Sequence, residues 1–365
     1  MSLMGSRLTS RSLRLVVLLV TGGALIGSAI PTASAVTARA PSSATTPGAA
    51  ATPRAAAARY PLPLPVTGGA STHDPSMIRV ADGSYYVFST HDGIQIRHSS
   101  DRTDWRFVGS VLPGGATWAA DYQGGGATDL WAPDVSFHRG IYWLYYSVSS
   151  FGSNQSAIGL ATSRTAAPGS WTDQGLVYAS HDAAHSPTGV ADDLNAIDPG
   201  LLVDAQGRWQ LSLGSFWTGI KMIQLDPATG KPSSATPTRT SLAERPKVQY
   251  DPIEGAYIYL HDGWYYLFTS NDFCCQGLNS TYNIRVGRSR TPTGPYLGRG
   301  GTPMMAVGGS MVLSTHDYVI GPGGETVLHD RGVDWLVYHY YNQRDAGTPR
   351  LGINRITWVD GWPAL

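Results

Sequence analysis

Five times along this chain one short pattern returns: a small or acidic residue, a brief apolar run, a turn carrying glycine, then an aromatic-rich run. The copies are Asp74–Ser89, Ala132–Ser147, Asp198–Gly214, Glu254–Ser270 and Gly323–Tyr341, at intervals of roughly 60 residues, a period typical of repeat architectures. Two runs of strand-forming residues around an Asp-Gly or Gln-Gly turn make a β-hairpin. Helical periodicity is nearly absent between them. Radial repetition follows, an all-β five-bladed propeller spanning residues 60–365. A two-sheet sandwich does not predict five look-alike hairpins at even spacing.

The first position of each copy carries the functional signal. Counted back from the turn glycine, it lies nine residues ahead of Gly83, Gly207 and Gly263, and there stand Asp74, Asp198 and Glu254. The same count from Gly332 reaches Gly323. In the second copy the matching residue is Ala132, with Asp134 two places on. Inner strands of a propeller converge on its axis, so three acids distant in sequence are expected to share one pocket.

Like charges gathered together repel, and burial raises their pKa values further. Packing gives no reason for that, whereas acid–base catalysis requires it. Glycoside hydrolysis needs one carboxylate to take a proton from water and a second, protonated, to give one to the leaving oxygen. A third can hold the acid protonated by its own charge. Turn capping, since Asp74 and Asp198 each precede proline, and a calcium site are the alternatives from the residues alone.

Composition agrees. Lys plus Arg equal Asp plus Glu at 26 each, without a basic stripe, so neither nucleic acid nor a membrane surface is the expected partner. Trp and Tyr are plentiful and suit a neutral, hydroxyl-rich ligand, although they are also good strand residues. The first 35 residues read as a secretory signal. Arg7, Arg11 and Arg14 precede the apolar Leu15–Ile30 stretch, and Ala33-Ser34-Ala35 is a cleavage pattern. Residues 36–59, nearly all Ala, Thr, Pro, Ser and Arg, read as a disordered linker. A secreted, extracellular and monomeric protein is the expectation. The two cysteines, Cys274 and Cys275, are adjacent; a vicinal disulfide and a free pair both remain open.

Thr72-His-Asp-Pro-Ser76, Trp131-Ala-Pro-Asp-Val135, Asn195-Ala-Ile-Asp-Pro199, Ile253-Glu-Gly-Ala-Tyr257, Asn279-Ser-Thr-Tyr-Asn-Ile-Arg-Val-Gly-Arg-Ser289 and Gly361-Trp-Pro363 together resemble glycoside hydrolase family 43, and within it the endo-1,5-α-L-arabinanases. The resemblance implies an arabinan substrate and hydrolysis with inversion. Asp74 is then the general base, Glu254 the general acid, and Asp198 the group that raises and orients that acid, with base and acid roughly 6.5–9.5 Å apart. Trp131 and Phe151 match aromatic positions that pack on bound sugars. Asp134 supports the site from behind, and Asn195 and Ser215 are candidates for hydroxyl contacts. Exo-acting relatives and a non-catalytic carbohydrate-binding propeller are the rival readings. No cofactor is needed for this chemistry. Relatives carry a histidine after Gly-Pro-Gly in the last blade that reaches an ion in the axial channel; here Gly324 follows Gly321-Pro-Gly323, which puts a channel calcium or sodium ion in doubt. His316, His329 and His339 are read as structural.

Overall fold

The computed structural model describes residues 60–124 and 126–365; the signal and linker segments lie outside the described residues. Among the described residues the strands form five sheets. Blade one runs Ser76–Arg79, Tyr85–Ser89, Gln95–Ser99 and Asp104–Ser110, and blade two Trp131–His138, Ile141–Val148, Ser156–Ser163 and Thr172–Ser180. Blade three is Gly200–Val203, Trp209–Leu213, Ile220–Leu225 and Thr240–Ala243. Ile253–His261, Trp264–Asn271, Asn283–Ser289 and Ser310–Leu313 make blade four, and Val319–Asp330, Val333–Asn342, Thr348–Val359 and Trp362–Ala364 blade five. The first strand of each set touches the first strand of the next, and that of blade five touches that of blade one, which closes the ring. This is the five-bladed propeller anticipated from the repeat.

Alternation along the second strands explains why blades stack. Successive side chains of a strand point to opposite faces. Tyr142, Leu144, Tyr146 and Val148 enter the apolar layer between blades one and two, while Trp143 and Tyr145 enter the layer between two and three. In blade four, Tyr265 and Leu267 face blade three, and Tyr266 and Phe268 face blade five. Met77, Tyr85 and Val87 meet Leu328, Val337 and Leu351 across the closing interface. One apolar layer thus fills each of the five gaps.

Closure is reinforced by the segment ahead of blade one. The Leu64 N–H donates to the Ile353 carbonyl at 2.9 Å, and Thr67–Gly68 then pairs in parallel with the outer strand of blade one at Asp104 and Trp105. Among the described residues no helix is long and apolar enough to cross a membrane.

Phe268 is fully buried between blades four and five. Phe268→Ala is expected to lower the free energy of unfolding by about 3–5 kcal/mol, measured by urea denaturation. A loss under about 1 kcal/mol would contradict this account of interblade packing.

Candidate active site

One backbone device recurs at the hub. Asp74, Ala132, Asp198, Gly255 and Gly324 all have positive φ, at 47°, 42°, 57°, 61° and 59°. Each stands two residues ahead of an equivalent cross-strand pair: Ser76 opposite Phe88, Asp134 opposite Tyr145, Gly200 opposite Ser212, Tyr257 opposite Phe268 and Thr326 opposite Val337. Left-handed backbone at non-glycine residues is uncommon and collects at functional sites.

The N–H at each of these places is taken by the preceding blade. Ala132 donates to Thr90 Oγ1 at 2.9 Å, Asp198 to Ser147 Oγ at 2.9 Å, Gly324 to Ser270 Oγ at 2.8 Å and Asp74 to His339 Nδ1 at 3.1 Å. In blade three the corresponding acceptor position is Gly214, which has no side chain. The Gly255 N–H donates instead to Asp198 Oδ2 at 3.0 Å.

This register corrects the count made from the turn glycines. Blades two, four and five use two-residue turns, with His138 opposite Ile141, His261 opposite Trp264 and Asp330 opposite Val333; blades one and three use longer loops, between Arg79 and Tyr85 and between Val203 and Trp209. The hub residue of blade four is therefore Gly255, and that of blade five Gly324 rather than Gly323. Glu254 stands one residue earlier, in the place that His73 and Trp131 hold in their blades.

The three acids nonetheless converge, in contrasting surroundings. Asp74 Oδ2 accepts from Thr90 Oγ1 at 2.7 Å and lies 2.8 Å from His73 Nδ1; its side chain is 19% exposed, so it reaches solvent. Burial alone would raise its pKa, but the charge and hydrogen bond of His73, with His339 and Thr90, hold it well below the ordinary carboxylate range. Glu254 accepts from Ser215 Oγ at 2.5 Å and from the Tyr282 hydroxyl. Burial, with the charges of Asp74 and Glu325, pushes it up to about 7 against the Ser215 bond. Asp198 is raised by burial and by Glu254 and Asp74. The surroundings thus drive Asp74 downward and Asp198 and Glu254 upward.

The remaining candidates fall into separate places. Ser215 is buried and serves Glu254 as its hydrogen-bond donor. Asn195 is buried ahead of Asp198, its Oδ1 without a partner. Asp134 lies two residues deeper along the axis, where it accepts the Leu201 N–H at 2.7 Å and ties blade three to blade two; burial pushes it up to about 7. Trp131 is half-buried, its Nε1–H donating to Asp129 Oδ1 at 2.9 Å. Phe151 is 84% exposed on the loop after the second strand of blade two.

Sequence reasoning missed a second tier. His339, read as structural, is fully buried against Asp74: it stacks on His73 with ring centroids 3.8 Å apart and accepts the Asp74 N–H. Glu325, one residue past the hub position, is a further buried carboxyl; Ser270 Oγ donates to its Oε2 at 2.7 Å, its Oε1 has no partner, and burial pushes it up to about 8. Phe216 and Trp217, both with left-handed φ, follow Ser215. Neither carries a local signal in the sequence; only the cross-strand register places His339 where Thr90, Ser147 and Ser270 stand in their blades.

Asp74, Asp134, Asp198, Tyr282 and Glu325 line a hub cavity of about 40 Å³. Gly324 brings no side chain to this cavity. A Cβ built on Gly324 would lie 2.5 Å from Asp74 Oδ1 and 2.8 Å from His339 Nδ1, and that nitrogen already receives the Asp74 N–H.

The family model for glycosyl hydrolases family 43 matches residues 64–363. This chain belongs to that family. It is 41% identical over 296 residues to the extracellular endo-α-(1→5)-L-arabinanase 1 of Bacillus subtilis, covering 80% of this chain and 87% of the relative. A family 43 endo-arabinanase from Bacillus licheniformis superposes with a TM-score of 0.75 at 41% identity, covering 82% of this chain and 99% of that one. The α-L-arabinanase of Cellvibrio cellulosa complexed with arabinohexaose superposes with a TM-score of 0.74 at 36% identity, covering 80% and 95%.

In this family 43 hydrolase, Gly324→Ala places a methyl group against the Asp74 carboxylate on left-handed backbone. The expected outcome is a stability loss of about 1–3 kcal/mol, read from thermal or urea melts. An unchanged melt would show that the hub has slack at this position.

Proposed function

We propose that the chain hydrolyses internal α-1,5 bonds between L-arabinofuranose units of arabinan, with inversion at the anomeric carbon. The observation that carries this is the convergence at the hub of two carboxyls in opposite surroundings, Asp74 held down by His73 and Glu254 pushed up to about 7 by burial. Relatives named as arabinanases at about 40% identity support the substrate. The family inverts, and this supports the stereochemistry.

Each atom has a task. A water beside Asp74 gives its proton to the carboxylate as its oxygen attacks the anomeric carbon. The glycosidic C–O bond breaks on the opposite side, and Glu254 delivers its proton to the departing oxygen. Asp198, joined to the neighbouring backbone through the Gly255 N–H, repels charge on Glu254 and so keeps the acid protonated until it acts. Ser215 and Tyr282 fix the direction in which Glu254 presents its proton. Trp131, Phe151 and Trp217 offer aromatic faces to the sugar rings. No metal enters these steps. The protein works outside the cell as a monomer, delivered by the signal at residues 1–35 and spaced by the linker at 36–59; relatives named extracellular support that location.

Glu254→Gln and Asp74→Asn are each expected to lower kcat on linear arabinan by at least about 10²–10⁴-fold while leaving the melting curve near that of the wild type. Chromatography of the products should show a ladder of oligosaccharides. Monomer alone would indicate exo action, and no product from the wild type would leave a carbohydrate-binding propeller.

Activity needs Glu254 protonated, so kcat/KM should fall as pH rises through about 7, the value to which Glu254 is raised. The bell-shaped profile measures this directly. A plateau extending past pH 9 would assign the proton donor to another group.

A further inference from the structure

Cys274 and Cys275 form a vicinal disulfide, and nothing in the reaction above uses it. Its place in the fold is specific. Cys275, exposed and with a φ of 65°, donates its N–H to the Tyr341 hydroxyl at 2.7 Å. That hydroxyl lies 2.9 Å from His73 Nε2, and His73 Nδ1 lies 2.8 Å from Asp74 Oδ2. Cys275 Sγ itself is 3.8 Å from His73 Nε2. A nitrogen lone pair facing a carboxylate at that distance would be repelled, so Nδ1 carries the proton and donates to Asp74. Nε2 and the Tyr341 hydroxyl then share one hydrogen bond, and the same oxygen receives the Cys275 N–H.

We infer that the Cys274–Cys275 disulfide is a positioning element for the general base, acting through Tyr341 and His73 on Asp74. This rests on the assignment of Asp74 as base. The loop is pinned at its root, where Arg245 pairs with Asp272 at 2.7 Å and Thr281 N–H donates to the Phe273 carbonyl at 2.8 Å. At its tip the eight-membered ring closed by two adjacent cysteines sets the direction of the Cys275 N–H. Opening the ring frees that peptide, Tyr341 loses a donor, and His73 loses both a fixed partner and a wall.

The step is a thiol–disulfide exchange. A small dithiol gives two electrons and two protons, the Cys274–Cys275 bond breaks to two thiols, and the dithiol closes to its own disulfide. Asp74 is faced by His73 beside it, by His339 and Tyr341 from the second strand of blade five, by Glu325 from the inner strand of blade five, and by Asp198 and Glu254 across the pocket. His73 contributes most to holding its pKa down against burial. A looser His73 therefore raises the Asp74 pKa and moves the acidic limb of kcat/KM to higher pH.

The test uses the folded protein treated with a dithiol, with free thiols counted by a colorimetric reagent. Reduction is expected to lower kcat on linear arabinan by about tenfold, since small misplacements of catalytic groups cost rate, to leave KM within a factor of two, and to raise the acidic limb. Oxidised Tyr341→Phe should reproduce the raised limb. The Cys274→Ser/Cys275→Ser double variant should match the reduced wild type and ignore the dithiol. A fully reduced, folded protein with unchanged kcat and unchanged acidic limb overturns the inference. If Asp74→Asn remains active, the assignment of the base fails first; if it is inactive and reduction has no effect, the inference alone fails.

Discussion

A buried backbone N–H must find an acceptor, because leaving it without one costs about as much as a hydrogen bond is worth. At the hub of this propeller that requirement arises five times at partly buried N–H groups, once where each inner strand turns through left-handed φ. Four blades meet it with a side chain of the blade before: Thr90, Ser147, Ser270 and His339. Blade three offers only Gly214 at that place, and the Asp198 carboxylate accepts the Gly255 N–H instead. The same carboxylate is thereby fixed one peptide away from Glu254. Ring closure and the arrangement of the acids are one set of contacts.

The exception in blade five matters as much. Its acceptor is an imidazole rather than a hydroxyl, and a ring there gives His73 a surface on which to stack. His73 in turn meets Asp74. Asp74 is partly and Glu254 fully withdrawn from solvent, yet one has an imidazole partner and the other only the hydroxyls of Ser215 and Tyr282. Burial raises both; only Asp74 has a group able to carry positive charge against it, so the two shift in opposite directions. Asp134 and Glu325 lack such a partner as well and are pushed upward. Four of the five clustered carboxyls are thus shifted toward their neutral form, which lessens their mutual repulsion.

Hairpins, blade number and the three acids were legible in the chain because they rest on local pattern: period-two alternation, turn glycines and a recurring first residue. The register at the hub was not. Turns of two lengths shift the count by one residue, so Glu254 looked equivalent to Asp74 when its true counterparts are His73 and Trp131. His339 and Glu325 escaped for a different reason. The bond from Asp74 to His339 joins residues 265 apart in sequence, and no local pattern distinguishes a histidine that meets a carboxylate from one that caps a strand. Ser215 was found, but its bond to Glu254 was not foreseen, since a small buried hydroxyl looks the same whether it faces a sugar or an acid.

Five inner strands account for the chemistry, so the length of sugar chain accommodated must be decided by what stands above them. The walls nearest the acid and the base are constrained. Phe216 and Trp217 hold left-handed backbone, with the Phe216 N–H on the Ile253 carbonyl beside Glu254, and the disulfide turn rests against His73. Phe151, farther out on blade two, is largely in solvent. A substrate gripped where the bond breaks and only brushed farther along suits a polymer entering at many registers, because the ring at the cleavage point must be held in one geometry while its neighbours need only a hydrophobic surface. The division follows from the architecture: the hub residues and the Phe216 and Cys275 loops are held by hydrogen bonds to the next blade, whereas the Phe151 side chain projects into solvent.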